Sequence, residues 1–260
     1  MLRNLKTYFC LLNANLKTLV SFRVDFILLI LSGSLTQLLG VIFIFTIFKQ
    51  VPNIDGWSLY EIILIYSLVF LVEGLVSIFF DGIWKLTSIV NSGEFDRILL
   101  RPVSPIIQIA TLGFGSQGIG NFIIGLILLV YSLIKLNLMN PITIFIVIIF
   151  VFLGVIIRAA INYCIAASSF WTKNGNPLMM ANYSFSEFSK YPITIYSYSL
   201  QILIIVIPYI FISYVPVLFI LKKEGANILL ALYPFVILYC ILCVNIIMKK
   251  GIKKYGSTGN

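Results

Sequence analysis

S-G-E-F-D-R-I-L-L-R-P-V-S-P, residues 92–105, sits between two apolar runs, 59–80 and 106–134. Each run is long enough to cross a bilayer, which takes about 20 residues. The stretch holds Glu94, Asp96, Arg97 and Arg101 in a chain of 260 residues with only 18 basic and 9 acidic side chains. A charged knot between two such runs is a loop held at one membrane surface. With Leu99 and Leu100 beside the charges, it presents a mixed face for docking rather than an inert solvated turn.

Outward from this loop the same pattern recurs. Hydrophobic residues make up 60% of the chain and charged ones 10%, against roughly 45–50% and about 25% in soluble domains. Six runs qualify as spans: 26–48, 59–80, 106–134, 142–170, 200–221 and 228–248. They use most of the length and leave no room for a soluble catalytic domain. The reading is one all-α integral membrane domain, 1–260, with six transmembrane helices. The first run is too long for the apolar core of a secretory signal and has no A-x-A site after it, so it reads as a retained helix.

An even number of spans puts both termini on one side. That side carries thirteen Lys and Arg residues and the other four, Lys49, Lys135, Lys222 and Lys223. By the positive-inside rule the termini, residues 81–105, residues 171–199 and the tail 249–260 are cytoplasmic. The net charge of +9 then reflects topology and attraction to anionic lipid. With no basic soluble module, nucleic acid is not an expected partner. Residues 1–25 read as an interfacial amphipathic helix, with Leu5, Phe9, Leu12, Leu16 and Leu19 at spacings of three or four.

The absence of histidine removes the common zinc sites and histidine-based nucleophilic catalysis. Cys240 and Cys243 form a C-x-x-C inside an apolar run, where small apolar filler is the expectation and no disulfide framework is implied. Gly113–Gly118 matches G-x-G-x-x-G, but no strand precedes it and no acid follows about 20 residues later. Gly113, Gln117 and Gly120, widened by Asn121, instead suggest a helix face for close packing or the lining of a substrate pathway. Glu73 and Arg158 are the buried charges. Counting inward at about 1.5 Å per residue puts them at similar depths, near 21 and 24 Å, so they are expected to pair or to share a polar cavity. Glu61, near the outer end, reads as solvated. Pro208, Pro216 and Pro234 suggest that 208–234 dips and re-enters from outside. No P-loop is present, so ATP energy would have to come from another chain.

Several stretches together resemble the type-2 ABC transporter permeases of bacteria, in a six-helix branch of this length. They are G-E-F-D-R-I-L-L-R-P-V-S-P (93–105) with Gln108, Y-P-I-T-I-Y (191–196), I-P…Y-V-P (207–216) and the tail G-I-K-K-Y-G-S-T-G (251–259). The resemblance implies an N-terminal elbow helix over 3–22. It implies a coupling helix over 83–101, with Gly93, Glu94, Phe95, Asp96, Arg97 and Arg101 seated in an ATPase cleft. It further implies a smaller cytoplasmic contact over 172–190 and an external re-entrant element between helices five and six. The implied assembly has two permeases, identical or related, and two ABC ATPase subunits that hold ATP and magnesium. This chain would carry no cofactor and no catalytic or metal site, and substrate would leave the cell of a bacterium. Two other readings stand beside it. One is an ion-coupled carrier using Glu73 and Arg158, which the missing inverted repeat weighs against. The other is a lipid-modifying membrane enzyme, which the absent histidine and sparse acids weigh against.

Overall fold

A computed structural model describes the backbone of residues 2–256 and side chains from Lys6 onward. The side chains of Arg3 and Leu5 and the tail residues 257–259 of the quoted motif lie outside the described residues. Among the described residues, about 81% are helical and there is no strand. Five helices are long and apolar enough to span a membrane, or six if one bent pair counts as a single span.

In chain order, α1 (Leu2–Ser21) meets α2 (Arg23–Gln50) at a kink at Phe22, and α3 (Leu59–Phe80) follows a short turn. A 3-10 turn, Asp81–Lys85, leads into α4 (Leu86–Ser92) and α5 (Phe95–Leu99). Then come α6 (Pro105–Ala110), α7 (Gln117–Lys135), α8 (Pro141–Ala166), α9 (Ser169–Thr172) and α10 (Asn176–Ser186). The bent pair is α11 (Tyr198–Val206) and α12 (Tyr214–Ile220), and α13 (Ala226–Lys254) closes the order.

The central helix is α3. It is apolar all round and buried from Ile62 to Gly74 without interruption, as a helix enclosed by other helices should be. Glycines bring α7 against it. A Cβ on Gly74 would stand 2.7 Å from the Phe122 nitrogen, and one on Gly118 would stand 2.6 Å from the Gly74 carbonyl. Without a hydrophobic drive between helices in lipid, such backbone approach is a main source of association. The last helix, α13, runs alongside α8 and α9, with Tyr233 against Phe150 and Gly251 under the Phe170 ring.

Several expectations change here, while the bend at Pro208 falls where that proline suggested one. The third span is not continuous, since the helix stops at Ala110 and resumes at Gln117. The interruption is where Gly113 and Gly115 press against Gly82, Ser77 and Asp81, and Gly115 N–H donates to the Ser77 carbonyl at 3.1 Å. Gly113 therefore does not share the α7 face with Gln117, Gly120 and Asn121. The fifth span is bent by 72° at Ile207–Pro208. Pro234, by contrast, lies inside an unbroken α13, and Pro216 falls in the first turn of α12, where a missing N–H costs nothing. Residues 83–101 form two short helices hinged at Gly93, in the left-handed region at φ 76°, not one.

The polar stretch 171–199 departs furthest from the loop expected of it. Asn182 donates to Asn162 and Ser186 accepts from Arg158, so α10 runs antiparallel along α8. The following turn carries Lys190, only 6% exposed, onto the faces of Phe70 and Tyr66 on α3. Its low hydropathy hid this. The polar atoms are there because they meet polar atoms on α8.

Candidate functional site

Where α2, α3, α7, α8 and α10 face one another they leave a cleft of about 440 Å³. From α2 it is lined by Ser32, Thr36 and Gln37, and from α3 by Glu73 and Ser77. Asp81 and Trp84 close one end, Gln117 and Asn121 come from α7, and Arg158, Asn162 and Tyr183 from α8 and α10. Polar groups in such number inside a helical membrane bundle are costly unless paired, and mark pathways or sites.

The pairing is partly complete. Arg158 Nη2 lies 3.5 Å from Glu73 Oε1, with both side chains under a tenth exposed. The same guanidinium donates to Ser186 Oγ at 2.9 Å and to the Tyr209 hydroxyl, which in turn donates to Asn182 Oδ1 at 2.5 Å. One cation thus gathers α3, α8, α10 and the turn after Pro208. Glu73 Oε2, Ser77 Oγ and Asn121 Oδ1 are buried with no hydrogen-bond partner. The first and third are acceptors and the second a hydroxyl that can do either, and all of them sit on residues that line the cleft.

Of the residues singled out in the sequence, Glu73, Arg158, Gln117 and Asn121 meet at this cleft. Gly113 lies 3.1 Å, at its would-be Cβ, from Asp81 Oδ2 behind it, and Gly120 packs on Ile30 and Ser34 of α2. Sequence reasoning missed Gln37, Asp81, Asn162, Ser186 and Tyr209. For α10 a signal existed: Asn182, Ser186 and Ser189 recur at i, i+4 and i+7, a polar helical stripe. For Asp81 and Tyr209 no local pattern stands out.

The charged loop forms a second, separate feature. Phe95 is fully buried, its ring 5.1 Å from Phe170 and 5.0 Å from Tyr255. Gln108 Nε2 donates to the carbonyls of Ile98 at 2.9 Å and Val103 at 2.8 Å. These ties fix a corner whose outer surface is Glu94, Arg97, Leu99, Leu100 and Arg101, with Leu100 85% exposed. Glu61 is not simply solvated. It caps α3 through Ser58 N–H at 2.8 Å and pairs with Lys223 Nζ at 2.9 Å.

A bundle of five or six apolar crossings with charge held inside it is a multi-pass membrane protein. Residues 34–259 match the family described as ABC-2 family transporter protein, and the chain belongs to that family. It is accordingly a membrane permease of an ABC transporter, a transport subunit in a family that generally works with an ATPase partner. Neither the curated proteins nor the solved structures contain a significant match.

Proposed function

We propose that this chain is the permease of an ATP-driven exporter in a bacterial inner membrane, with both termini cytoplasmic. Two copies, or this chain and a related permease, frame the substrate pathway, and two ABC ATPase subunits supply ATP and magnesium. The observation that carries the reading is the braced corner at 93–101. Exposed apolar surface rimmed by charges marks a contact for a partner, and a corner locked by Phe95 and Gln108 transmits a push rather than absorbing it.

In this reading α4 and α5 act as the coupling element, α1 as the elbow and the α11–α12 pair as the re-entrant element. Force entering at Leu99–Leu100 passes through Phe95 to α9 and the end of α13. It also passes from α4 to α9 through the 2.7 Å contact of Thr87 and Ser169. Both routes reach α8, which carries Arg158. Nucleotide binding would then bias the bundle between two states of the cleft.

The test is coupling. The chain is purified with an ABC ATPase from its genomic neighbourhood, placed in lipid, and ATP hydrolysis is measured. Wild type should bind and modulate that ATPase, and Leu100→Asp with Arg97→Glu should abolish the effect while the fold persists. A wild-type chain that engages no ATPase overturns the reading.

A further inference from the structure

We infer that the cleft between α2, α3, α7 and α8 is a binding site for a protonated amine with an apolar body. The inference rests on the permease reading for its biological role, though not for its chemistry.

The cations near the cleft are engaged. Arg158 is engaged by Glu73, Ser186 and Tyr209. Lys85, the other cation close to Asp81, gives its ammonium to the Leu112 carbonyl at 2.9 Å. Among the buried atoms left without a partner are two acceptors, Glu73 Oε2 and Asn121 Oδ1, and the Ser77 hydroxyl. A group that brings N–H donors would satisfy the two acceptors.

Charge narrows the class. The charged side chains lining the cleft are Glu73, Asp81 and Arg158. Arg158 stands against Glu73, and Asp81 is the second carboxylate on the cleft wall, with Lys85 outside the lining and turned to the Leu112 carbonyl. Water would supply donors but no charge, and an anion would meet two carboxylates against one guanidinium. An ammonium meets both needs, and its hydrogen bonds to a carboxylate are about twice as strong as neutral ones. Phe80 and Trp84 line the same cleft beside Asp81. They offer ring faces to a cation and apolar area to the ligand's body.

The experiment uses the full chain in lipid nanodiscs and dansylcadaverine, a primary ammonium on a fluorescent aromatic body. Its N-acetyl derivative, neutral with the same body, is the control. The amine should bind saturably and the acetylated probe about tenfold more weakly or worse, the loss of one charge-assisted bond. Asp81→Asn and Glu73→Gln should each weaken the amine by a similar factor and leave the acetylated probe unchanged. If Glu73→Gln does not fold, Asp81→Asn carries the test, because Asp81 is outside the Arg158 network. Equal affinity for the two probes, or full amine affinity in Asp81→Asn, overturns the inference. Failed amine binding with intact ATPase modulation removes the amine site and leaves the permease. Amine binding without ATPase modulation does the reverse.

Discussion

Arg158 on α8 and Glu73 on α3 stand 3.5 Å apart in the interior of the bundle, and this pair ties the central helix to α8, with Ser186 of α10 bonded to the same guanidinium. A buried pair is weak support for stability as a whole, but breaking one side of it strands a charge. Glu73→Leu is expected to cost about 3–5 kcal/mol. The double variant Glu73→Leu, Arg158→Leu should recover a large part of that, though not all, because Tyr209 and Ser186 also lose a partner. Unfolding of both variants in mixed micelles with increasing denaturing detergent measures the difference. A double variant no more stable than Glu73→Leu would mean the pair is not coupled.

Helix proximity makes a second, sharper contrast. Gly74→Ala puts a methyl 2.7 Å from the Phe122 nitrogen and 2.8 Å from the Gly118 carbonyl. Backbone cannot step aside as a side chain can, so α3 and α7 must separate, at about 1–3 kcal/mol. Gly40→Ala on α2 would meet only the Tyr66 ring, at 3.8 Å, and should be neutral or slightly stabilising. Melting temperatures of the two variants in the same lipid check the pair.

At the charged corner, stability and coupling should come apart. Phe95→Ala empties a fully enclosed site between Phe170 and Tyr255 and is expected to cost about 3–5 kcal/mol. Leu100→Ala removes an 85% exposed side chain and should stay within about 0.5 kcal/mol of wild type. Only the second tests docking. A normal melt with lost ATPase modulation is the expected result for Leu100→Ala.

The N-terminal helix gives a pH-dependent prediction. Tyr8 donates to the Phe79 carbonyl at 2.6 Å and Asn15 to the Thr111 carbonyl at 2.5 Å. Burial pushes the Tyr8 hydroxyl from 10.0 up to about 12. Folding therefore favours the neutral phenol. Its contribution is whole below pH 10 and fades as the pH rises from 10 to about 12, because the unfolded chain loses its proton first. Hydrogen exchange over residues 6–21 should accelerate in that window, and Tyr8→Phe should exchange faster already at neutral pH. A Tyr8→Phe variant as protected as wild type would remove Tyr8 from the attachment of α1.

Long apolar runs made most of the bundle legible. Residues 59–80 read as a span and form one helix with the same bounds, because a helix enclosed by others is apolar on every face. The charges at 73 and 158 were legible too, since an ionised group within an apolar run stands out by itself. Residues 106–134 misled because nothing in hydropathy distinguishes a helical glycine from one that lets a strand of coil press on a neighbour. Gly113 and Gly115 are apolar and small, and only Ser77, Asp81 and Gly82 across the gap explain the break.

Local composition alone was enough to make this a helical membrane protein with a charged corner between two spans, because lipid admits few backbone arrangements and each leaves its mark on hydropathy. The corner's rigidity was not written there. It depends on Phe95 finding Phe170 and Tyr255, residues 75 and 160 positions further along the chain. Nor was the cleft. Asn182 and Ser186 look like loop residues, and Tyr209 like one more member of an apolar run, until α10 lies against α8, and partners so distant in sequence are chosen by packing, which no single stretch of chain encodes.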